Sequence, residues 1–499
     1  MKKIVTLSVM AALTMGVCAS ANTDTQAQID ALKAQLEKLE KTTNKNTKKI
    51  SHVNMLANHD NLKFNVDFRT AYDNLNYKTE GGINPMTKKA QPSEYKNDAL
   101  FSERLWLGMG YNPTDNMIFS ATLAAHKAFG ASYGQRGTGM GFDTFDWVNN
   151  ENLTDNTIRL REAYWLWKPT VGGFPMTLSV GRRPATNGHL INLRDDDKAK
   201  SPLGHIINME FDGASASIKL DKYVQGMYFK ICVGRGLTNA ASWASNGTHY
   251  LVPMAQAANQ PNYTKVDGSL DQTDLAGFIF QPYDDGQYSV LMNYYRGWNV
   301  PGMKMNPAYD PMNPMSPMAT METLGNEDGA VISLKSDGVG DGINDFLDDT
   351  ILFASFGWSQ SNPDAGKTMM GSSDKKSGTS YWVGTQMPNL TGGRFGLEYN
   401  HGSKYWRPFT YGEDTMIGSK MATRGDAYEA YWTQPIVEKD GQGVLSMQVR
   451  YTYLDYDYTG SNGFFGDGGT PYKIGSMQSK AMNSVTSAQD IRVYLRYRY

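Results

Sequence analysis

From Leu62 to the C-terminus, apolar and polar residues alternate with a period of two. Leu62, Phe64, Val66 and Phe68 alternate with Lys63, Asn65, Asp67 and Arg69. Leu105, Leu107, Met109 and Tyr111 lie opposite Arg104, Trp106 and Gly108, and Ile158 and Leu160 alternate with Arg159 and Arg161. Leu178 and Val180 alternate with Ser179 and Gly181. Similar segments fall at 117–125, 214–220, 227–234, 275–281, 288–295, 350–358, 380–386, 394–400, 427–433 and 445–453. In the last, Ile491, Val493, Leu495, Tyr497 and Tyr499 share one face, and Arg492, Tyr494, Arg496 and Arg498 the other. A period of two puts successive side chains on opposite faces of a strand. Segments of about ten residues, split by Gly, Asn, Asp and Pro, are the repeated signature of a transmembrane barrel. At about 25 to 28 residues per strand with its share of turn and loop, roughly 440 residues predict about 16 to 18 strands. The expected fold is an all-β antiparallel transmembrane β-barrel, and a barrel of this size holds water rather than a packed core.

The first sixty residues carry a different pattern. Ile29, Leu32, Leu36, Leu39, Thr43, Asn46, Ile50 and Val53 recur at alternating spacings of three and four. That is a coiled-coil seam. A helix this short cannot bury the stripe against itself, so the seam predicts partner copies, with a homotrimer as the expected assembly. A single amphipathic helix plugging or lying under the barrel is the other reading. Before it, Met1-Lys2-Lys3, an apolar run to Val17 and Ala19-Ser20-Ala21 have the layout of a secretory signal peptide. Cys18 raises a lipoprotein alternative, but Val17 stands where a small residue should precede the modified cysteine. The predicted organisation is signal peptide 1–21, coiled-coil oligomerisation segment 22–58 and barrel 59–499.

Composition narrows this further. The chain has 50 Gly, 29 Tyr and 12% aromatic residues, yet its mean hydropathy is only −0.49. A barrel accounts for the combination, because only alternate residues face lipid and Tyr and Trp collect at the two interfaces. No later apolar stretch reaches the roughly eighteen residues of a transmembrane helix. Loss of Cys18 with the signal leaves Cys232 alone, which excludes an intrachain disulfide. The net charge of −2 lacks the basic excess that nucleic-acid binding needs. There is no haem motif, P-loop, nucleophile elbow or zinc-protease spacing. No nucleophile and base can be assembled, so no enzymatic activity is expected.

Strand parity sends Lys63, Arg69, Lys219, Lys230 and Arg498 to the lumen, together with the candidate pore-lining residues Arg104, Arg159, Arg161, Arg183, Arg450, Arg492 and Arg496. Lumen acids are fewer, chiefly Asp67, Glu398 and Glu429, so the balancing acids are expected in loops. A basic wall favours small polar or anionic solutes. The alternative is a wet pore whose charges of both signs pair across it. No cofactor is required, but two loops bear on metals. Met312, Met315, Met318 and Met321 recur every third residue with prolines between. In a polyproline-II helix they would align thioethers suited to a soft cation, or else form a sticky apolar loop. Asp337, Asp341, Asp345 and Asp348 fall at positions one, five, nine and twelve of an EF-hand-like calcium loop, with Gly342 at the turn. Val339 at position three and the short Asp348 depart from that pattern. A solvated acidic turn is the plainer reading.

The alternating final strand ending on Tyr499 resembles the C-terminal signal of bacterial outer-membrane barrels. With the coiled coil, and with segments such as Leu160-Arg161-Glu162-Ala163-Tyr164 and Gly181-Arg182-Arg183-Pro184, the chain resembles porin-type outer-membrane proteins. Within them it is similar to a family known only as a domain of unknown function. The resemblance implies the outer membrane of a Gram-negative bacterium, contact with its lipid, and trimers, but names no solute. The expected function is passive diffusion of small polar solutes with weak anion preference. The alternative is a barrel-anchored structural or surface-interaction protein with functional loops, which a plug formed by residues 297–349 would favour.

Overall fold

The computed structural model describes residues 63–130, 153, 157–238, 270–306, 312, 319–339, 342–410, 413–439, 443–461, 463 and 465–499. The chain divides into Met1–Asn61 and Leu62–Tyr499. The signal segment and the heptad lie outside the described residues.

The second unit is a closed antiparallel barrel of 16 strands. They are β1 (Lys63–Thr79), β2 (Glu94–Thr114), β3 (Met117–Ala128), β4 (Arg159–Trp167), β5 (Phe174–Arg183), β6 (Phe211–Lys219), β7 (Tyr228–Leu237) and β8 (Thr273–Asp284). There follow β9 (Tyr288–Met305), β10 (Ala319–Asp337), β11 (Ile351–Pro363), β12 (Lys376–Pro388), β13 (Arg394–Gly402), β14 (Gly425–Lys439), β15 (Gly443–Tyr456) and β16 (Val485–Arg498). Each strand pairs with the next in sequence, and β16 returns to β1 with Asp67 opposite Arg498 and Asp73 opposite Arg492. Two-residue pieces at Thr170–Val171 and Phe465–Gly466 join the sheet without entering the ring.

Short turns such as 115–116, 285–287 and 389–393 close one end, and the other carries longer connections, including 184–210, 403–424 and 457–484. The first residues of β1 and the last of β16 lie at the short-turn end.

Alternation sorts the two faces as expected. Val180, Ile231, Val233, Phe356, Val383, Leu397 and Leu495 point outward and are exposed, as lipid-facing residues must be. Tyr381, Tyr399, Tyr428 and Tyr453 run across β12–β15 with successive ring centroids 5.9, 5.2 and 6.4 Å apart, part of an aromatic belt.

The interior departs from the expected water-filled lumen. Leu203, Ile206, Ile207 and Met209 of loop 184–210 and Trp406 and Phe409 of loop 403–424 form one buried cluster with Leu275, Ile279, Leu291 and Tyr295 of the wall. The two loops are joined to each other, because Asn208 N donates to Phe409 O and Phe409 N to Ile206 O. The barrel therefore does have an apolar core, assembled inside it from chain that leaves the wall and folds back.

Residues 297–349, the stretch considered for a plug, are mostly wall where they are described. Through Met305, and again from Ala319 to Asp337, that stretch is wall, with Met303 opposite Met321. From Ala319 on, the Met-rich run is strand and so does not continue a polyproline-II helix.

Candidate functional site

The barrel register places positive charges side by side. On the inner face Arg69 of β1 lies directly opposite Arg104 of β2 and Arg496 of β16. Two inner-face positions toward the long-loop end, Arg492 of β16 faces Asp73 of β1 and Arg450 of β15. Like charges opposite one another destabilise a sheet, and buried charges must be paired. All five arginines are buried.

The two infolded loops supply much of the counter-charge. Asp414 of loop 403–424 accepts a forked pair of bonds from Arg69 at 2.5 and 3.0 Å and another from Arg492 at 2.7 Å. Arg450 donates to the Asp414 main-chain oxygen and has its carboxylate at 3.8 Å. From loop 184–210, Asp197 meets Arg496 and Arg498, each at 3.0 Å, and Asp196 meets Arg498 at 2.9 Å. Wall acids complete the set. Asp73 lies 2.5 Å from Arg492, and Asp67 accepts from Arg496 at 3.0 Å and Arg104 at 3.4 Å. Loop 184–210, with its short helix α1 (Ile191–Arg194), thus reaches the short-turn end of β16.

The loops also carry cations inward. Arg194 donates to Glu413 at 2.7 Å and to Glu429 at 3.5 Å. Lys420 donates to Glu398 at 2.6 Å and to Glu429. Burial opposes its charge, but the Glu398 and Glu429 carboxylates hold the ammonium above the ordinary lysine range. A neutral relay fixes the far side. His205 lies 2.8 Å from Ser355 Oγ and 3.0 Å from Ser380 Oγ. Ser380 spends its proton on Asn400 Oδ1, so it accepts from His205 Nε2, and Nδ1 accepts from Ser355. Burial pushes the His205 imidazole down to about 3.

The opposite side of the lumen is lined differently. The inner faces of β2–β6 carry Gly110, Ser120, Thr122, Tyr164, Thr177, Gly181, Gly213 and Ser217, all partly exposed. At the edge of this strip the guanidiniums of Arg104 and Arg161 lie 3.7 and 4.0 Å from the Trp106 ring centroid. Arg161 donates to Thr186 of loop 184–210 at 2.7 Å, and Lys200 of that loop to Glu162 at 2.6 Å.

The seven candidate pore-lining residues all lie on the inner face. Arg104, Arg161, Arg450, Arg492 and Arg496 are buried, whereas Arg159 and Arg183 are partly exposed. Of the acids that meet them, Asp73 and loop residues Asp197 and Asp414 are not singled out by parity. Their signal in the sequence is the acidic run 195–197 and the acidic pair 413–414. Of the calcium-loop carboxylates, Asp337 ends β10 and pairs with Lys335 at 3.0 Å. Asp345 and Asp348 bound the short helix α2 (Asp345–Asp348), and Asp348 accepts from Gly342 N at 3.1 Å. Asp341 lies outside the described residues.

A family model matches residues 94–499, which takes in β2 through β16; its description reads "Protein of unknown function (DUF3373)". The chain belongs to this family. Among solved structures, this DUF3373 barrel is similar to OmpF of Salmonella typhi in complex with daunomycin, with 11% identity, 88% of this chain and 98% of the other covered, and a TM-score of 0.42. It is similar to the anion-selective porin from Comamonas acidovorans, with 10% identity, 88% and 99% covered, and a TM-score of 0.43. OprB of Pseudomonas putida gives 10%, 90% and 96%, and 0.43. No curated protein matches the DUF3373 chain.

Proposed function

We propose that this protein is a non-enzymatic outer-membrane porin of a Gram-negative bacterium, passing small polar solutes with a weak preference for anions. One observation carries the reading. The apolar side chains of the two infolded loops pack against β1 and β8–β16, whereas on β2–β6 loop 184–210 bonds Arg161 and Glu162 and leaves a strip of Gly, Ser, Thr and Tyr partly exposed. Small polar side chains leave water room to run along the wall, and a solute moving there passes the partly exposed Arg159 and Arg183. Because the arginines around Asp414 are already neutralised, the anion preference rests on the edge of the strip and is modest. Liposome swelling tests the reading. Vesicles holding the refolded protein should swell at rates that fall with sugar size, and faster in small anions than in cations of equal size. Swelling no faster than that of empty vesicles would refute it.

The expected homotrimer belongs to the same proposal, with residues 22–58 as its seam. Calcium binding by the Asp337–Asp348 turn is likewise a proposal, read out by calcium titration against the Asp345→Asn variant.

A further inference from the structure

Where loop 184–210 crosses the inner faces of β7–β9 it leaves a small cavity of about 70 Å³ that opens to solvent. Phe211, Leu275, Ile279 and Tyr295 give it an apolar wall, and Arg183 and Ser201 are its polar lining on one side. Gly234 and Gly277 face it without side chains. A Cβ at Gly277 would meet Tyr294 O at 2.2 Å, so the hollow is fixed by backbone contact.

The charges beside this cavity differ from those elsewhere in the lumen. The Lys230 ammonium donates to Ser201 Oγ at 2.6 Å and Arg183 Nε to Ser179 Oγ at 3.1 Å. Arg183 bears on Lys230 as a repelling neighbour. Among the described residues neither has a carboxylate within ion-pair distance, in contrast to Arg69, Arg492 and Arg496. Two like charges partly withdrawn from water beside an apolar hollow are incompletely compensated. An anion whose body fills the hollow would compensate them.

We propose that this cavity binds an organic monocarboxylate with a compact apolar body, its carboxylate on Arg183 and Lys230 and its body against Phe211, Leu275, Ile279 and Tyr295. The proposal rests on the channel reading for the ligand's access from the lumen.

The test is calorimetric titration of the full-length refolded protein in detergent with benzoate, and with benzamide and acetate, which lack the charge and the body respectively. Saturable benzoate binding at one site per barrel is expected, with benzamide and acetate at least about tenfold weaker. Arg183→Gln and Lys230→Gln should each weaken benzoate about tenfold, and Arg183→Lys, the fallback where Arg183→Gln does not fold, should retain it. Cys232 lines the cavity, so benzoate should also slow its modification by a methanethiosulfonate while benzamide does not. Equal binding of benzoate and benzamide, absence of saturable binding, or unprotected Cys232 would overturn the site. Benzoate binding by barrels that stay silent in a bilayer would overturn the channel reading and leave the site standing. Conductance without benzoate binding would do the reverse.

Discussion

At the residue scale, Asp414 is the hinge of the electrostatics. Its one carboxylate answers Arg69 and Arg492 directly and Arg450 at longer range, and a loop rather than the wall delivers it. Removing one partner of a buried pair leaves an uncompensated charge, at a cost of about 3–5 kcal/mol. Asp414→Asn should therefore lower the unfolding free energy of the refolded barrel, read from urea titration, by that amount, whereas Asp374→Asn, in an exposed loop position, should leave it unchanged. His205 gives a pH signature. Its imidazole is held neutral at about 3 against an ordinary 6.5, so the unfolded chain takes up the proton first as pH falls. The stability this neutral histidine contributes is complete above pH 6.5 and is lost progressively between about 6.5 and 3. Melting curves of the native protein and of His205→Gln should differ in pH dependence across that window and run parallel above it. Of these residues, parity in the sequence picks out the wall arginines. The acids that meet them sit in loops with no period, where the sequence has no means of saying which acid reaches which arginine.

At the scale of elements, the alternation of apolar and polar residues predicts every strand of the ring except β10. Its outward set, Ala330, Ile332 and Leu334, is short, and toward the long-loop end Glu322, Asn326, Glu327 and Asp328 put polar groups on both faces. The Met-Pro run before it adds a loop signal that outweighs the strand pattern. As wall, β10 exposes Ile332 to lipid, so Ile332→Arg should cost about 2–4 kcal/mol on folding into vesicles, according to depth. Equal folding yields for Ile332→Arg and the native protein would return this segment to the lumen. The infolded loops were illegible for a different reason. Leu190, Ile191, Leu203, Ile206 and Met209 follow neither a period of two nor of 3.6, and only the wall that receives them makes them core.

At the scale of the whole molecule, the barrel resolves a conflict between size and stability. A ring of this circumference leaves its centre wet, and charged walls facing each other across water stabilise little. Folding two loops inward fills part of the lumen with a packed core, and the proposed conducting space lies on the side of β2–β6. Ion passage along one side of a partly filled barrel is the central proposal. The most direct test is single-channel recording of the refolded protein in a planar bilayer under a salt gradient. Discrete conductance steps are predicted, with a small reversal potential of the sign that marks anions as the more permeant ions. Silent insertion of folded barrels, or a reversal potential marking cations, would contradict it.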